Sequence, residues 1–463
     1  MTLFVDLQAV QRPASGERGI GRYSVELTRA LLAVGAVAGV GLNPMLPRPE
    51  PLAGDLHLDD RLVWTTAREV RRVTGGEPFV HLTLSPMEGG VPAESVLPPW
   101  IDDDAVATLA VLYDVIPYLF PEHYMPDRAT RAFFQGRELS LRQVDRLLAI
   151  SEYTRRDVIR SWGIDPGRVV TIGSGASSYF HRPDDPSTPG RLIGDALPAI
   201  RGRFVLSVAG YDWRKNAETL IDAWGAVPAA TRDGRQLVLT CRLPDEVAAA
   251  WMDRAAASGL HPDEVVVTGF VPDEVLRALY QAADLLVFPS RYEGFGLPVL
   301  EAARCGTPSI TSDRTSLPEI LELPTSTFDP DDEADIAAVL GRALSDEAFA
   351  AELEEAAATA AVTHTWERVA ERVREAEEAV MPRRASPRPL RVAVVGAPTR
   401  RARLVDALRA RGDTSVEGFG PGATSLALVG GVHTFDAFDR VVVIVDDDVT
   451  FRILEACGRA DVV

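Results

Sequence analysis

Seven residues separate two glutamates, Glu293 and Glu301, in the string Leu285-Leu-Val-Phe-Pro-Ser-Arg-Tyr-Glu-Gly-Phe-Gly-Leu-Pro-Val-Leu-Glu-Ala. An apolar run suited to a strand ends at Phe288, a short loop carries Glu293, Gly294, Phe295 and Gly296, and a helix follows from Leu297 and Pro298. Proline suits a first helical turn. Glycines let the backbone approach a ligand closely. The unpaired N–H groups of a helix start carry partial positive charge, which suits a diphosphate. Glu301 falls about one turn into the helix, where its carboxylate can accept hydrogen bonds from hydroxyl groups. Upstream, Val208-Ala-Gly-Tyr-Asp-Trp-Arg-Lys-Asn places Arg214 and Lys215 in a turn after another apolar run. Fixed cations of this kind stabilise negative charge that builds on a departing phosphate. The plainer readings are surface carboxylates on a strand, turn and helix, and a solvated basic turn before a helix.

Weaker signals surround these. Ser15-Gly-Glu-Arg-Gly-Ile-Gly-Arg-Tyr-Ser follows the first strand, and Gly19 and Gly21 would set backbone N–H groups against a phosphate. The dinucleotide fingerprint fails there, because its third glycine position is Ser24, and no nicotinamide cofactor is expected. Asp114, in Leu112-Tyr-Asp-Val-Ile-Pro, reads either as a polar site residue or as a loop cap. Gly269 closes an apolar run in Val267-Thr-Gly-Phe-Val-Pro. His81 and His123 stand alone and read as structural.

The elements that must hold these residues alternate. Buried-strand runs at Leu3 to Val5, Val106 to Leu112, Arg146 to Ile150 and Val169 to Ile172 are interleaved with helical periodicity at Gly21 to Val34 and Tyr153 to Trp162, the latter capped by Ser151. A polar, proline-bearing stretch from Ser174 to Gly190 reads as an interdomain linker. Strands at Phe204 to Val208, Gln236 to Thr240, Val265 to Thr268, Leu285 to Phe288 and Ser309 to Thr311 follow, with helices such as Asn216 to Trp224 and Asp273 to Ala283 between them. Such alternation predicts α/β architecture with parallel sheets. After a basic, proline-rich tether from Met381, strands at Leu390 to Val395 and Arg440 to Val445 with a helix over Arg400 to Arg411 read as a partial third α/β unit.

The chain has 463 residues, enough for two or three folding units, and a formal net charge of −19 that argues against a nucleic-acid partner. Much of the acidity falls between Asp331 and Glu378, on what read as solvated helix faces. Its three cysteines are widely spaced and suggest neither disulfides nor a metal site. The N-terminus lacks the pattern of a secretion signal, and no uncharged run is long enough to span a bilayer. Arg128 to Leu147 reads as a packed surface helix, with peripheral contact to anionic lipid as the alternative.

The string from Leu285 resembles the Glu-x7-Glu signature of retaining glycosyltransferases of family 4, with Glu293 and Glu301 on its acidic positions. Arg214 and Lys215 match the family's Arg-Lys-Asn segment, and Gly19-Ile-Gly-Arg-Tyr is similar to the form in mannosyltransferase-like members. The likeness covers most of residues 1 to 380. It implies a GT-B fold, two Rossmann-like domains facing across a cleft. Residues 1–180 would form the acceptor side and 181–380 the nucleotide-sugar side, with 381–463 as linker and partial unit.

It further implies transfer of a sugar, first guess mannose, from a nucleoside-diphosphate sugar to a glycan or lipid-linked glycan acceptor. No metal or other cofactor is implied, and the setting is cytoplasmic, with peripheral contact at the inner membrane face as a further possibility. Catalytic positions would be Glu293, Lys215, Arg214 and Asp114. Donor-binding positions would be Gly19, Gly21, Gly294, Phe295, Gly296, Leu297, Glu301 and Gly269. Three departures stand out: Val208 where relatives often have Gly, Ala209 where some have a further Arg, and Tyr113 where many have His before the aspartate. Two other readings stay open: a catalytically inactive GT-B module partnering an active transferase, and another Rossmann-type enzyme such as a nucleotide-sugar epimerase or dehydrogenase.

Overall fold

A computed structural model describes residues 3–12, 19–49, 61–87, 105–208 and 210–380, isolated positions 56, 58, 89, 96 and 97, and the backbone of 390–395, 414–419 and 440–443. The first unit is a seven-stranded parallel sheet of β1 (Leu3–Asp6), β2 (Val37–Leu42), β3 (Leu62–Trp64), β4 (Phe79–Thr83), β5 (Val106–Leu112), β6 (Arg146–Ala149) and β7 (Val169–Thr171), in the order β3-β2-β1-β4-β5-β6-β7. Its helices include α1 (Gly19–Ala33), α2 (Arg128–Leu141) and α3 (Glu152–Trp162). Parallel strands are covered on both faces, which is why β1 and β5 read as unbroken apolar runs. Strand β2 escaped sequence reading because glycines interrupt it: a Cβ on Gly39 would lie 2.5 Å from Val73 Cγ2 and 3.1 Å from the Phe4 ring, which fill that space instead.

Ser151 starts α3 as expected, its hydroxyl accepting from the Thr154 N–H at 2.9 Å, and Gly163 ends it with φ 62°. The surface helix expected over Arg128 to Leu147 stops at Leu141, and Arg146 already belongs to β6. Among the described residues, no helix is long and apolar enough to cross a membrane.

The proline-bearing stretch after Ser174 is packed as well as connecting. Phe180 is fully buried, edge-on to Tyr280 at 5.6 Å, and α4 (Thr188–Ala196) begins before that stretch ends. The second unit is a six-stranded sheet of β8 (Phe204–Val208), β9 (Gln236–Thr240), β10 (Val265–Gly269), β11 (Leu285–Phe288), β12 (Ser309–Ser312) and β13 (Thr327–Phe328), ordered β10-β9-β8-β11-β12-β13 and parallel throughout. Its helices include α5 (Ala217–Ala226), α6 (Asp273–Ala282), α7 (Leu297–Cys305), α8 (Glu333–Ser345), α9 (Glu347–Thr363) and α10 (Trp366–Ala379), and the acidic segment is the solvated side of α8 to α10.

The last helix returns to the first unit. Trp366 lies edge-on to Tyr23 of α1 at 4.7 Å, and a Cβ on Gly175 would stand 2.7 Å from the Trp366 backbone nitrogen. One apolar cluster therefore contains Tyr23 and Leu27 of α1 together with Trp366, Val369 and Val373 of α10. Beyond residue 380, β14 (Leu390–Val395), β15 (Thr414–Phe419) and β16 (Arg440–Val443) form a parallel sheet in the order β15-β14-β16. The expected strands are there, with β15 in addition. The expected helix over Arg400 to Arg411 and the tether lie outside the described residues.

Candidate active site

Open parallel sheets bind ligands beyond the carboxyl ends of their strands, where the strand order reverses. In the second sheet that point lies between β8 and β11. Arg214 and Lys215 follow β8 and Glu293 follows β11, so both charged motifs open at the reversal. They meet there: Lys215 Nζ donates to Glu293 Oε1 at 2.6 Å, and the two side chains are only 22% and 12% exposed, enough shelter for the pair to escape most solvent screening.

Local geometry explains the basic turn. The Asp212 carboxylate accepts from the Arg214 N–H at 3.0 Å, and Asn216, at a left-handed φ of 58°, donates its amide to the carbonyls of Pro289 at 3.2 Å and Pro330 at 2.6 Å. Arg214 Nη1 donates to the Tyr292 carbonyl at 3.0 Å, and Nε donates to the hydroxyl of Tyr124, from the first unit, at 2.6 Å. Burial alone would lower the Arg214 pKa, but Glu293, Asp212 and Tyr124 outweigh it and keep the group firmly cationic.

The loop bearing Glu293 is held from below. Its N–H donates to Thr315 Oγ1 at 3.1 Å, and Thr315 adopts a left-handed φ of 57°. Such strain in a residue other than glycine survives only where surrounding contacts enforce it. The Ser316 hydroxyl lies 3.0 Å from the Glu293 carbonyl and 2.8 Å from that of Phe295. Gly296 has φ 117°, and an added Cβ would come within 2.5 Å of Leu317, so glycine alone fits. Helix α7 starts at Leu297 with Pro298 in its first turn. The Phe295 ring is buried against His364 at 5.7 Å.

The first unit closes on this loop. A Cβ on Gly294 would run into the Tyr113 carbonyl oxygen and lie 3.1 Å from the Asp114 Cβ, and Thr154 Oγ1 donates to the Gly294 carbonyl at 3.1 Å. Asp114 Oδ1 accepts from the Ile116 N–H at 2.9 Å, so it caps its loop, while Arg214, Glu293 and Lys215 are its charged neighbours. Burial raises its pKa from the ordinary aspartate value. Glu319 of the second unit caps α3 of the first, accepting from the N–H groups of Glu152 at 2.9 Å and Tyr153 at 2.8 Å.

Glu301 is buried. Its Oε2 accepts from the Tyr280 hydroxyl at 2.9 Å and its Oε1 from Arg22 Nη1 at 3.3 Å. Gly19 and Gly21 belong to the first turn of α1 rather than to a loop, and a Cβ on Gly19 would touch Leu297 at 3.5 Å, so two helix starts confront each other across the interface. Residues Ser15 to Arg18 lie outside the described residues. Gly269, with φ 73°, ends the outermost strand β10, two strands from β8; beside it Phe270 is 64% exposed, with the Arg242 guanidinium 4.8 Å from its ring.

Tyr113, at the position of the family's histidine, lies edge-on to Tyr23 at 5.1 Å. His81 is buried in β4, where burial pushes its pKa down to about 3, and His123 stacks on Trp213 at 4.8 Å. Arg22, Tyr124, Thr154, Tyr280 and Glu319 were not singled out from sequence. Arg22 had a signal in its place inside Gly19-Ile-Gly-Arg-Tyr.

Two Rossmann-like units meeting at their carboxyl edges, with a final helix crossing back, define the GT-B fold of glycosyltransferases. Residues 198–360 match the family model described as "Glycosyl transferases group 1", and the chain has the GT-B fold with a sequence similar to mannosyltransferases. It is 30% identical over 400 residues to the serotype-specific mannosyltransferase WbdA of Escherichia coli, a likeness covering 79% of this chain and 46% of that protein. It is 31% identical over 248 residues to the O-antigen chain mannosyltransferase B of Escherichia coli, covering 52% of this chain and 62% of that one. The chain thus spans about half the length of the curated relatives it matches. Among solved structures, Anabaena HepE in complex with UDP and glucose superposes with a TM-score of 0.56 at 16% identity, covering 82% of this chain and 100% of that one.

Proposed function

We propose that the protein transfers a sugar, with mannose the first candidate, from a nucleoside-diphosphate sugar to a glycan or lipid-linked glycan acceptor, with retention of anomeric configuration. The observation that carries this reading is the Lys215–Glu293 pair, 2.6 Å apart at the strand-order reversal, with Arg214 and Asp114 beside it. The names of the mannosyltransferase relatives and the UDP and glucose held by HepE support it.

In this reading the diphosphate rests on the start of α7, where the backbone of Gly294, Phe295, Gly296 and Leu297 supplies N–H donors. Glu301 accepts hydroxyls of the nucleotide, and Gly269 lies beside the base. Gly19 and Gly21 bring the start of α1 to the phosphates from the opposite side. Glu293 holds the sugar hydroxyls. The bond from the anomeric carbon to the β-phosphate oxygen breaks, its electron pair leaving with the phosphate, where Arg214 and Lys215 stabilise the charge. The acceptor oxygen bonds to the same face of that carbon, and its proton passes to the departing phosphate. These side chains supply the positive charge, so we propose transfer without a metal or other cofactor. Asp114 orients the sugar or the acceptor, and contact between the units excludes water.

The donor side is residues 181–380 and the acceptor side 1–180. A sugar-nucleotide donor and a lipid-linked acceptor would place the protein in the cytoplasm, touching the inner membrane face. A thermal-shift panel of GDP, UDP, ADP and their sugars tests the reading, followed by slow donor cleavage without acceptor. GDP-mannose should raise the Tm and be cleaved. A chain that no donor stabilises and that cleaves none would instead be a non-catalytic partner module.

A further inference from the structure

Arg22 sits on α1 of the first unit, yet its guanidinium is committed to the second. Nη2 donates to both oxygens of Asp273 at 2.9 and 2.8 Å, and Nη1 donates to Glu301 Oε1 at 3.3 Å. The guanidinium also lies 5.4 Å from the ring of buried Phe180. The Asp273 side chain is 58% exposed and that of Glu301 only 10%, so the two ion pairs act differently. The exposed pair, in which one nitrogen spans both carboxylate oxygens, is screened and contributes little energy. The sheltered pair answers a larger need, since a carboxylate taken out of water is costly without a cation or donors beside it. Burial raises the Glu301 pKa, and Arg22 is the strongest influence opposing that rise. The Tyr280 hydroxyl occupies the other oxygen at 2.9 Å. A carboxylate offers about four lone-pair sites, so Glu301 keeps acceptor capacity with both partners in place.

We propose that Arg22 is a positioning residue for the donor, holding Glu301 as an anion and joining the first unit to α6 through Asp273 and to α7 through Glu301. The competence of Glu301 to receive nucleotide hydroxyls then depends on a residue of the opposite unit, and donor binding is coupled to closure. This rests on the reading of Glu301 as a hydroxyl acceptor.

Two measurements on the full chain test it. Without ligand, small-angle scattering should show Arg22→Met more extended than the parent; superimposable curves overturn the interunit role. With GDP and GDP-mannose as probes, Arg22→Met should raise Kd and donor KM about tenfold with kcat much less affected. Arg22→Lys should restore much of that affinity. Equal donor affinity in the parent and Arg22→Met overturns the positioning role. A parent chain that binds neither probe sinks the transferase reading instead, and scattering then decides whether Arg22 joins the units.

Discussion

Lys215 Nζ and Glu293 Oε1 belong to turns 78 residues apart in sequence and lie 2.6 Å apart in the fold. The pair is therefore a product of sheet topology: β8 and β11 are neighbours, and each delivers its following turn to the same point. Without a ligand, the carboxylate and the ammonium neutralise each other in a sheltered place. A donor that engages both, its sugar on Glu293 and its phosphate on Lys215, replaces one satisfied contact by two.

Glu293→Gln keeps the shape of the side chain and removes its charge. Sugar transfer should fall about a hundredfold or more, with the circular dichroism spectrum unchanged. Wild-type turnover, measured as nucleoside diphosphate released from GDP-mannose, would disprove the role given to this carboxylate.

Lys215→Met should weaken binding of the free diphosphate itself by about tenfold to a hundredfold, read by calorimetric titration with GDP. Arg214→Lys should also lose affinity, because an ammonium cannot reach the Tyr292 carbonyl and the Tyr124 hydroxyl together as the fork does.

Gly294→Ala places a methyl group against the Tyr113 carbonyl where the two units touch. Relief requires the loop or the units to move apart, at a cost of about 1–3 kcal/mol. Activity should drop and the Tm fall. Gly190→Ala, in helix α4 with open space around it, should do neither.

Asp114→Asn retains an acceptor for the Ile116 N–H and removes a charge that burial disfavours. The folded pKa of Asp114 is raised above its unfolded value, so its protonated form stabilises the fold at low pH. That contribution is lost as pH rises through the folded pKa. The Tm of Asp114→Asn should therefore exceed that of the parent at neutral pH, and the gap should close on acidification below the ordinary carboxylate range. Melting curves across pH for both proteins check this, while transfer should fall in the variant.

The sequence by itself determined the elements and the two charged motifs. Unbroken apolar runs announced β8 and β11, Ser151 announced α3, and Arg214, Lys215, Glu293 and Glu301 stood out because turn and cap chemistry is local. The interruption of β2 by Gly39 hid a strand, since the reason for that glycine is the Val73 side chain and the ring of Phe4 on a neighbouring strand. Only the tertiary structure decided which residues serve each other across the units. Arg22 reaches Glu301 over 279 positions, and Glu319 caps α3 over 167. Ion pairs and caps depend on a few ångströms of distance and on burial. Both are set by the order of strands and the meeting of two sheets, and no spacing along the chain encodes them.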